Sequence, residues 1–197
     1  MNGRPILIDL PEELAGERVV LRPLREADAG ELYAAVQESI PRLKAWMPWY
    51  DQHGSVEDSL AYIRRTRADR MVRESFDNGI FSASDGSYLG NCGLHPRNWA
   101  IRSFEIGYWI RTSAEGHGYV SEATRLLTRF AFDELDGRRV MIRCDSRNER
   151  SKAVAERLGY MYEGCLRNAE PDPEGIPRDA LIYAMIPKDY AAAQARW

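Results

Sequence analysis

The sequence predicts a single α/β domain over residues 1–197, a twisted, mostly antiparallel sheet of about seven strands flanked by helices. Three observations predict it. Strand-like runs at residues 79–84, 88–94 and 104–110 follow one another across turn signals, Asp85-Gly86 and residues 96–100, which is the pattern of an antiparallel meander. From Gly118 the apolar period changes to 3.6, with Val120, Ala123, Leu127, Phe130 and Ala131 on one face. A further strand at 139–144 follows that helix, so the unit is a β-α-β crossover.

The other elements fall around this frame. Residues 18–24 (RVVLRPL) read as an opening strand, and Asp28 caps a helix that carries Leu32, Ala35 and Val36 on one side. Residues 41–50 concentrate Trp46, Met47, Trp49 and Tyr50 around Pro48, which interrupts any helix there. Ser55 starts a long polar helix that ends before Asp77, with Leu60, Ile63 and Arg64 spaced for one buried stripe. Ser146 and Glu149 form a capping box, Ala153, Val154 and Leu158 give the next helix its buried side, and Gly159 stops it. Two strands near residues 161–166 and 180–186 complete the chain, and residues 171–178, rich in Pro, Gly and acids, read as a flexible loop at a substrate entrance.

Composition narrows the function classes. Hydrophobic residues at 44% and charged residues at 29% fit a folded globular protein, so disorder is excluded. No window approaches the ~18 apolar residues that span a bilayer, and residues 1–10 lack the apolar run of a signal peptide. The formal net charge of -3 gives no general reason to bind nucleic acid, and Arg64, Arg65, Arg67 and Arg70 read as a solvated helix face. Cys92, Cys144 and Cys165 are odd in number and sit in strand-like runs, which fits buried free thiols in a reducing cytoplasm. His53, His95 and His117 lack the paired spacing of metal ligands and read as surface or turn histidines, so no metal is expected.

The segment from Tyr108 through Ser113-Ala114-Glu115-Gly116-His117-Gly118 into a helix carries the strongest chemical signal. A Gly-rich turn at a helix start leaves successive main-chain N–H groups unpaired, a natural diphosphate cradle, and Gly116 and Gly118 let phosphate oxygens approach the backbone. Taken alone, such a G-x-G turn is more often a helix start with no ligand.

The order strand, G-x-G helix, strand, residues 148–160 helix resembles the acetyl-CoA core of the GCN5-related N-acetyltransferases (GNAT), whose loop pattern is Q/R-x-x-G-x-G/A; Ser113 stands here at the Gln/Arg position. WMPW (46–49), IGYWI, EGHGYVSEA, NERSKAVAERLGY and EGCLRNAE are similar to the Rim-type branch, ribosomal-protein N-terminal acetyltransferases and their relatives. The resemblance covers nearly the whole chain and is most specific over residues 106–170, with the acetyl-CoA core at about 104–170.

That resemblance implies a sheet splayed between its fourth and fifth strands and acetyl-CoA as co-substrate. It places Ile110, Arg111, Glu115, Gly116, His117, Gly118, Tyr119 and Asn148 at the cofactor, with helix capping the equal alternative for Asn148, and edge main-chain groups of residues 106–111 along the pantetheine arm. Many relatives protonate the departing thiolate with a Tyr, but Ala155 occupies that position, so the resemblance assigns the proton to Ser151 and the general base to Glu170, with Glu105 in reserve. Trp46, Trp49, Tyr50 and Glu105 are substrate-side candidates, and the alternative for the aromatics is plain core.

The implied reaction is direct transfer, in a ternary complex, of acetyl to a primary amine such as the N-terminus of a ribosomal protein. Small-amine or amino-acid acetylation and a non-catalytic CoA-binding module are the alternatives. An acyl-cysteine route through Cys144 or Cys92 lacks a neighbouring His in sequence. Similar proteins lead to the expectation of a homodimer.

Overall fold

Eight strands form one sheet in the computed structural model, which describes residues 4–172 and 174–197. They are β1 (Leu14–Ala15), β2 (Val19–Arg22), β3 (Phe76–Ser82), β4 (Tyr88–Asn98), β5 (Ser103–Ile110), β6 (Arg139–Asp145), β7 (Met161–Pro171) and β8 (Pro177–Met185). Their order across the sheet is β1-β2-β3-β4-β5-β6-β8-β7, antiparallel throughout except at β5/β6. The strand beyond the seven expected is the two-residue β1, too short to show a period.

The period-2 pattern sorts side chains between two cores. Val19, Leu21, Phe76, Ile80, Cys92, Leu94, Phe104, Ile106, Val140 and Ile142 face α3 (Tyr119–Arg129), α4 (Glu149–Leu158) and α5 (Pro187–Gln194). Leu24, Phe81, Tyr88 and Trp109 face the other way, against α1 (Ala29–Leu43) and α2 (Val56–Val72). Among the described residues no helix is long and apolar enough to cross a membrane.

Several local readings are corrected. Asp28 does not cap α1; it accepts from the Arg25 N–H at 2.6 Å and from Arg22 at 2.7 and 3.0 Å, closing a 3-10 turn over Glu26–Asp28. Arg64 is not in the buried stripe of α2 but exposed and paired with Glu26, leaving Ile63 and Ser59 as its buried residues. The cap of α4 is Asn148 rather than Ser146: its Oδ1 accepts from the Ser151 N–H at 3.1 Å.

Cys165 is exposed, because β7 is the outer edge of the sheet; Cys92 and Cys144 are buried. His53 is buried, its Nδ1 2.9 Å from Ser59 Oγ. The expected loop shrinks to residues 172–176, since β7 reaches Pro171 and β8 begins at Pro177; residue 173 of that loop and residues 1–3 of the opening segment lie outside the described residues. The α5 helix went unread, although Pro187 at its first position and Asp189 two residues later are start signals.

Candidate active site

The splayed pair is β5 and β6. They are parallel and pair only through Ser103↔Arg139, Phe104↔Val140 and Glu105↔Met141, after which they part. On the other side of β5 the Arg111 N–H donates to Leu89 O at 2.8 Å, which makes Gly90/Ile110 a non-hydrogen-bonded pair and fixes the alternation along the strand. The main-chain groups of Ile106, Tyr108 and Ile110 therefore point away from β4 and into the wedge. An extended ligand can pair with them as a strand would.

At the mouth of the wedge the chain makes a 3-10 turn over Thr112–Ala114 and enters α3 through Gly116 (φ 81°) and Gly118 (φ 78°). Both lie in the left-handed region, and a Cβ on Gly116 would meet open space, so the room is on the outside of the loop. Thr112 and Ser113 spend their N–H groups on Ser39 Oγ (3.0 Å) and Glu38 Oε1 (2.7 Å) of α1. Among the described residues the N–H groups of residues 116–121 meet no acceptor, because the first helical bond runs from Glu122 N–H to Gly118 O. Unpaired donors at the positive end of a helix suit a diphosphate.

An ion pair that sequence reading did not anticipate anchors this loop. The Glu122 side chain is buried, and it accepts from the Arg18 main-chain N–H and from Arg18 Nε, each at 2.8 Å. Arg18 Nη1 donates to His117 O at 2.8 Å. Across a trans peptide the Gly118 N–H points opposite to the His117 carbonyl, so this bond turns the Gly118 donor outward. Burial would raise the Glu122 carboxyl, but the Arg18 backbone and guanidinium outweigh it and hold it below its ordinary value.

Arg111, expected at the cofactor, turns its side chain to Glu38 and to Tyr88 O, and Glu115 pairs with Arg150 of α4. The Arg111 hydrogen bond, with the Ser113 donors, lowers the Glu38 pKa to about 2. A depressed folded value means that stability is present above the unfolded carboxyl pKa of ~4.3 and is lost as pH falls toward the folded one. Replacing Glu38 with Gln is expected to flatten the acid limb of the melting temperature between about pH 4.5 and the folded value. An unchanged slope there would refute the assignment.

Ser151 lies in the first turn of α4, with its N–H on Asn148 Oδ1 and its Oγ 2.8 Å from the Tyr108 hydroxyl. Asn148, expected at the cofactor, thus serves as the cap that sets this turn. Tyr108 belongs to the wedge-lining strand, and burial raises its phenol far above the ordinary range despite the opposing Ser151 bond, so it stays protonated. Burial also raises the Cys144 thiol, which makes it a poor nucleophile.

A cavity of about 790 Å³ begins on the α1/α2 face, bounded by Trp46, Met47, Trp49, His53 and Tyr62, and passes through the wedge to Tyr108, Cys144 and Ser151. Tyr50 packs into the α1/α2 core instead of bounding it. The walls carry Asp69, Asp77, Glu105, Asp145, Glu170 and Asp172 against Arg65, Arg143 and Arg178, an excess of carboxylates that draws cations.

Glu170 Oε1 pairs with Arg143 Nη1 and its Oε2 with Arg178 Nη2 at 3.4 Å. Arg178, read from sequence as part of a flexible loop, is buried and also reaches Asp145 (3.5 Å) and Trp46 O (3.3 Å). Glu105 lies 3.6 Å from Arg143 and 3.4 Å from Arg97, yet its buried Oε2 has no hydrogen-bond partner. Ser151, Glu105, Glu170, Trp46 and Trp49 thus line one space.

Residues 18–161 match the family described as acetyltransferase (GNAT) domain. The chain belongs to the GNAT acetyltransferase family. The Bacillus subtilis (strain 168) protein named "Putative ribosomal N-acetyltransferase YdaF" is 33% identical over 177 residues, 88% of this chain and 94% of its own. The ribosomal-protein-serine acetyltransferase of Escherichia coli (strain K12) is 39% identical over 93 residues, 47% of this chain and 50% of that one. The solved structure of RimL, ribosomal L7/L12 alpha-N-protein acetyltransferase, in complex with coenzyme A has a TM-score of 0.82 at 25% identity, over 89% of this chain and 98% of that one. The acetyltransferase MccE, solved with acetyl-CoA and AMP, shares the fold with a TM-score of 0.82 at 24% identity, over 87% of this chain and 93% of its own. This GNAT protein is an N-acetyltransferase, and its resemblance to the Rim-type branch is established.

Proposed function

We propose that this GNAT protein transfers acetyl from acetyl-CoA to a primary amine, a protein N-terminal α-amino group of the ribosomal-protein kind, directly within a ternary complex. One observation carries the reading: the free donors of residues 116–121, the unpaired edge of β5 and the Ser151 hydroxyl lie in sequence along one wedge that opens onto an acidic cavity. The loop holds the diphosphate, the edge of β5 pairs with the pantetheine arm, and a main-chain N–H in the wedge polarises the thioester carbonyl. The Tyr108 hydroxyl, which donates to Ser151 O at 3.2 Å and lies 2.8 Å from Ser151 Oγ, holds the serine hydroxyl in the wedge, where its proton goes to the departing thiolate.

The excess of carboxylates favours an α-ammonium without a neighbouring carboxylate, as in a peptide N-terminus, over a free amino acid, whose carboxylate it repels. Glu105, on the cavity wall beside Arg97 and Arg143, has a buried Oε2 without a hydrogen-bond partner, which supports a part in attracting the ammonium group. Both oxygens of Glu170 already sit on guanidinium groups, which supports a part in ordering Arg143 and Arg178 and in shaping the field around the amine.

Thiol release measured across N-terminal peptides, polyamines and free amino acids tests the reading. Peptide amines are expected to turn over and free amino acids to lag by about 10-fold or more in kcat/KM, the size of a ~1.4 kcal/mol repulsion. Glu105→Gln is expected to raise the peptide KM, and Glu170→Gln to lower kcat. Equal rates for all three amine classes would remove the N-terminal assignment, and no transfer to any amine would remove the reaction.

A further inference from the structure

Three side chains on the acceptor side of the sheet have no part in the reaction as set out above. Ser75, just before β3, places its Oγ 2.5 Å from Asp77 Oδ2 and 3.1 Å from His95 Nδ1. A serine hydroxyl has one hydrogen, and an ionised carboxylate has none. Ser75 therefore donates to Asp77, and its remaining contact must be a hydrogen bond received from His95 Nδ1–H. That fixes the neutral tautomer, with the proton on Nδ1 and a lone pair on Nε2.

The register then places this lone pair. Gly93 on β4 and Gly107 on β5 are direct cross-strand partners, and so are the next residues of that face, His95 and Glu105. The two glycines leave a bare patch of sheet beside the histidine. A Cβ on Gly93 would lie 2.8 Å from His95 Nε2 and 2.3 Å from Asp77 Oδ1, and one on Gly107 would lie 3.7 Å from Nε2. Nε2 therefore overlooks the floor next to Tyr108, within the cavity that reaches Ser151. Asp77 Oδ1 stands 3.8 Å from it, placed to stabilise an imidazolium.

We propose that His95 is a catalytic residue whose Nε2 takes the proton of the acceptor's ammonium group above the Gly93/Gly107 floor, with Asp77 and Ser75 as its positioning residues. This rests on the transfer reaction proposed above. The N–H bond breaks, its electron pair stays on nitrogen, and the proton joins Nε2. The amine then forms the C–N bond, the C–S bond breaks, and sulfur leaves with its electron pair and takes a proton from Ser151. Nitrogen's second proton replaces that one through solvent, and His95 returns the first to water in the open cavity. An imidazole suits an α-ammonium better than a carboxylate does, since general bases work best when their pKa lies near the operating pH.

The test uses the full chain, acetyl-CoA and a short peptide with a free α-amino group. Nitrogen NMR of the histidines is expected to show His95 with Nδ1 protonated and Nε2 bare at high pH; the opposite tautomer would overturn the proposal whether or not the protein is active. In the pH profile of kcat, His95→Gln should remove the acid limb and lower the plateau by about 10²-fold, within the range of general-base effects, at unchanged acetyl-CoA affinity. Other groups facing His95 are Ser75, Asp77, Glu105 on β5, and Tyr62, Arg65 and Asp69 of α2 on the same cavity; Arg70 lies near Asp77. Asp77→Asn, which keeps the shape, should lower kcat at unchanged acetyl-CoA affinity, and this variant decides the matter if His95→Gln fails to fold. A wild type that acetylates while both variants keep its rate and limb sinks the inference alone. A wild type that binds acetyl-CoA but acetylates no amine sinks the inference together with the function.

Discussion

Ser151→Ala is expected to lower kcat by about 10²–10³-fold, the usual worth of a positioned proton donor, with little change in affinity for acetyl-CoA. The thiolate would then have to leave without a proton, while the donors of residues 116–121, to which we assign the nucleotide, stay in place. Tyr108→Phe removes the group that orients the serine hydroxyl and is expected to cost about 10-fold. Because the two hydroxyls act as one unit, the double variant should be little slower than Ser151→Ala alone. Additive losses would mean that Tyr108 acts independently of the serine. A kcat for Ser151→Ala within about twofold of the wild type would remove the serine from the mechanism.

The second large effect is expected at the anchor of the loop. Glu122→Ala leaves the Arg18 main-chain N–H without its acceptor and frees the guanidinium that holds the His117 carbonyl. An unsatisfied donor of this kind costs ~1–3 kcal/mol, which should appear as a lower denaturation midpoint at unchanged m-value. Acetyl-CoA affinity should fall by about 10-fold or more as the Gly118 donor loses its fixed direction. Glu122→Gln retains an acceptor for the main-chain N–H and should recover most of the stability but less of the affinity. Calorimetric titration that shows wild-type affinity in both variants would detach this ion pair from the cofactor site.

Much of this was legible in the sequence where a single local rule governs the outcome. The meander, the crossover and the glycine turn are written in period and punctuation, and the structure has them in the expected order. The placement of Ser151 in the first turn of α4 also followed, although the cap proved to be Asn148, because Asn148 Oδ1 reaches the Ser151 N–H. What escaped depends on register or on distant partners. Tyr108 alternates along β5 like any strand aromatic, and only the meeting of β5 with α4 makes its hydroxyl a partner for Ser151.

Glu122 reads as a solvated helix residue until Arg18, 104 positions earlier, is brought beside it. His95 looks like a turn residue because Pro96 and Asn98 follow it, yet β4 continues through them and presents its side chain to the cavity. Arg178 was lost in a run of loop-forming residues that the extended β7/β8 hairpin partly absorbs.

The three-rung junction between β5 and β6 has a consequence of its own. The two portions of the sheet are stitched at one end only, so the bound thioester carrier would lie between them like mortar between courses of brick. Catalytic readiness and mechanical continuity would then arise in one event: the sheet becomes whole only while the molecule that it acts upon is in place.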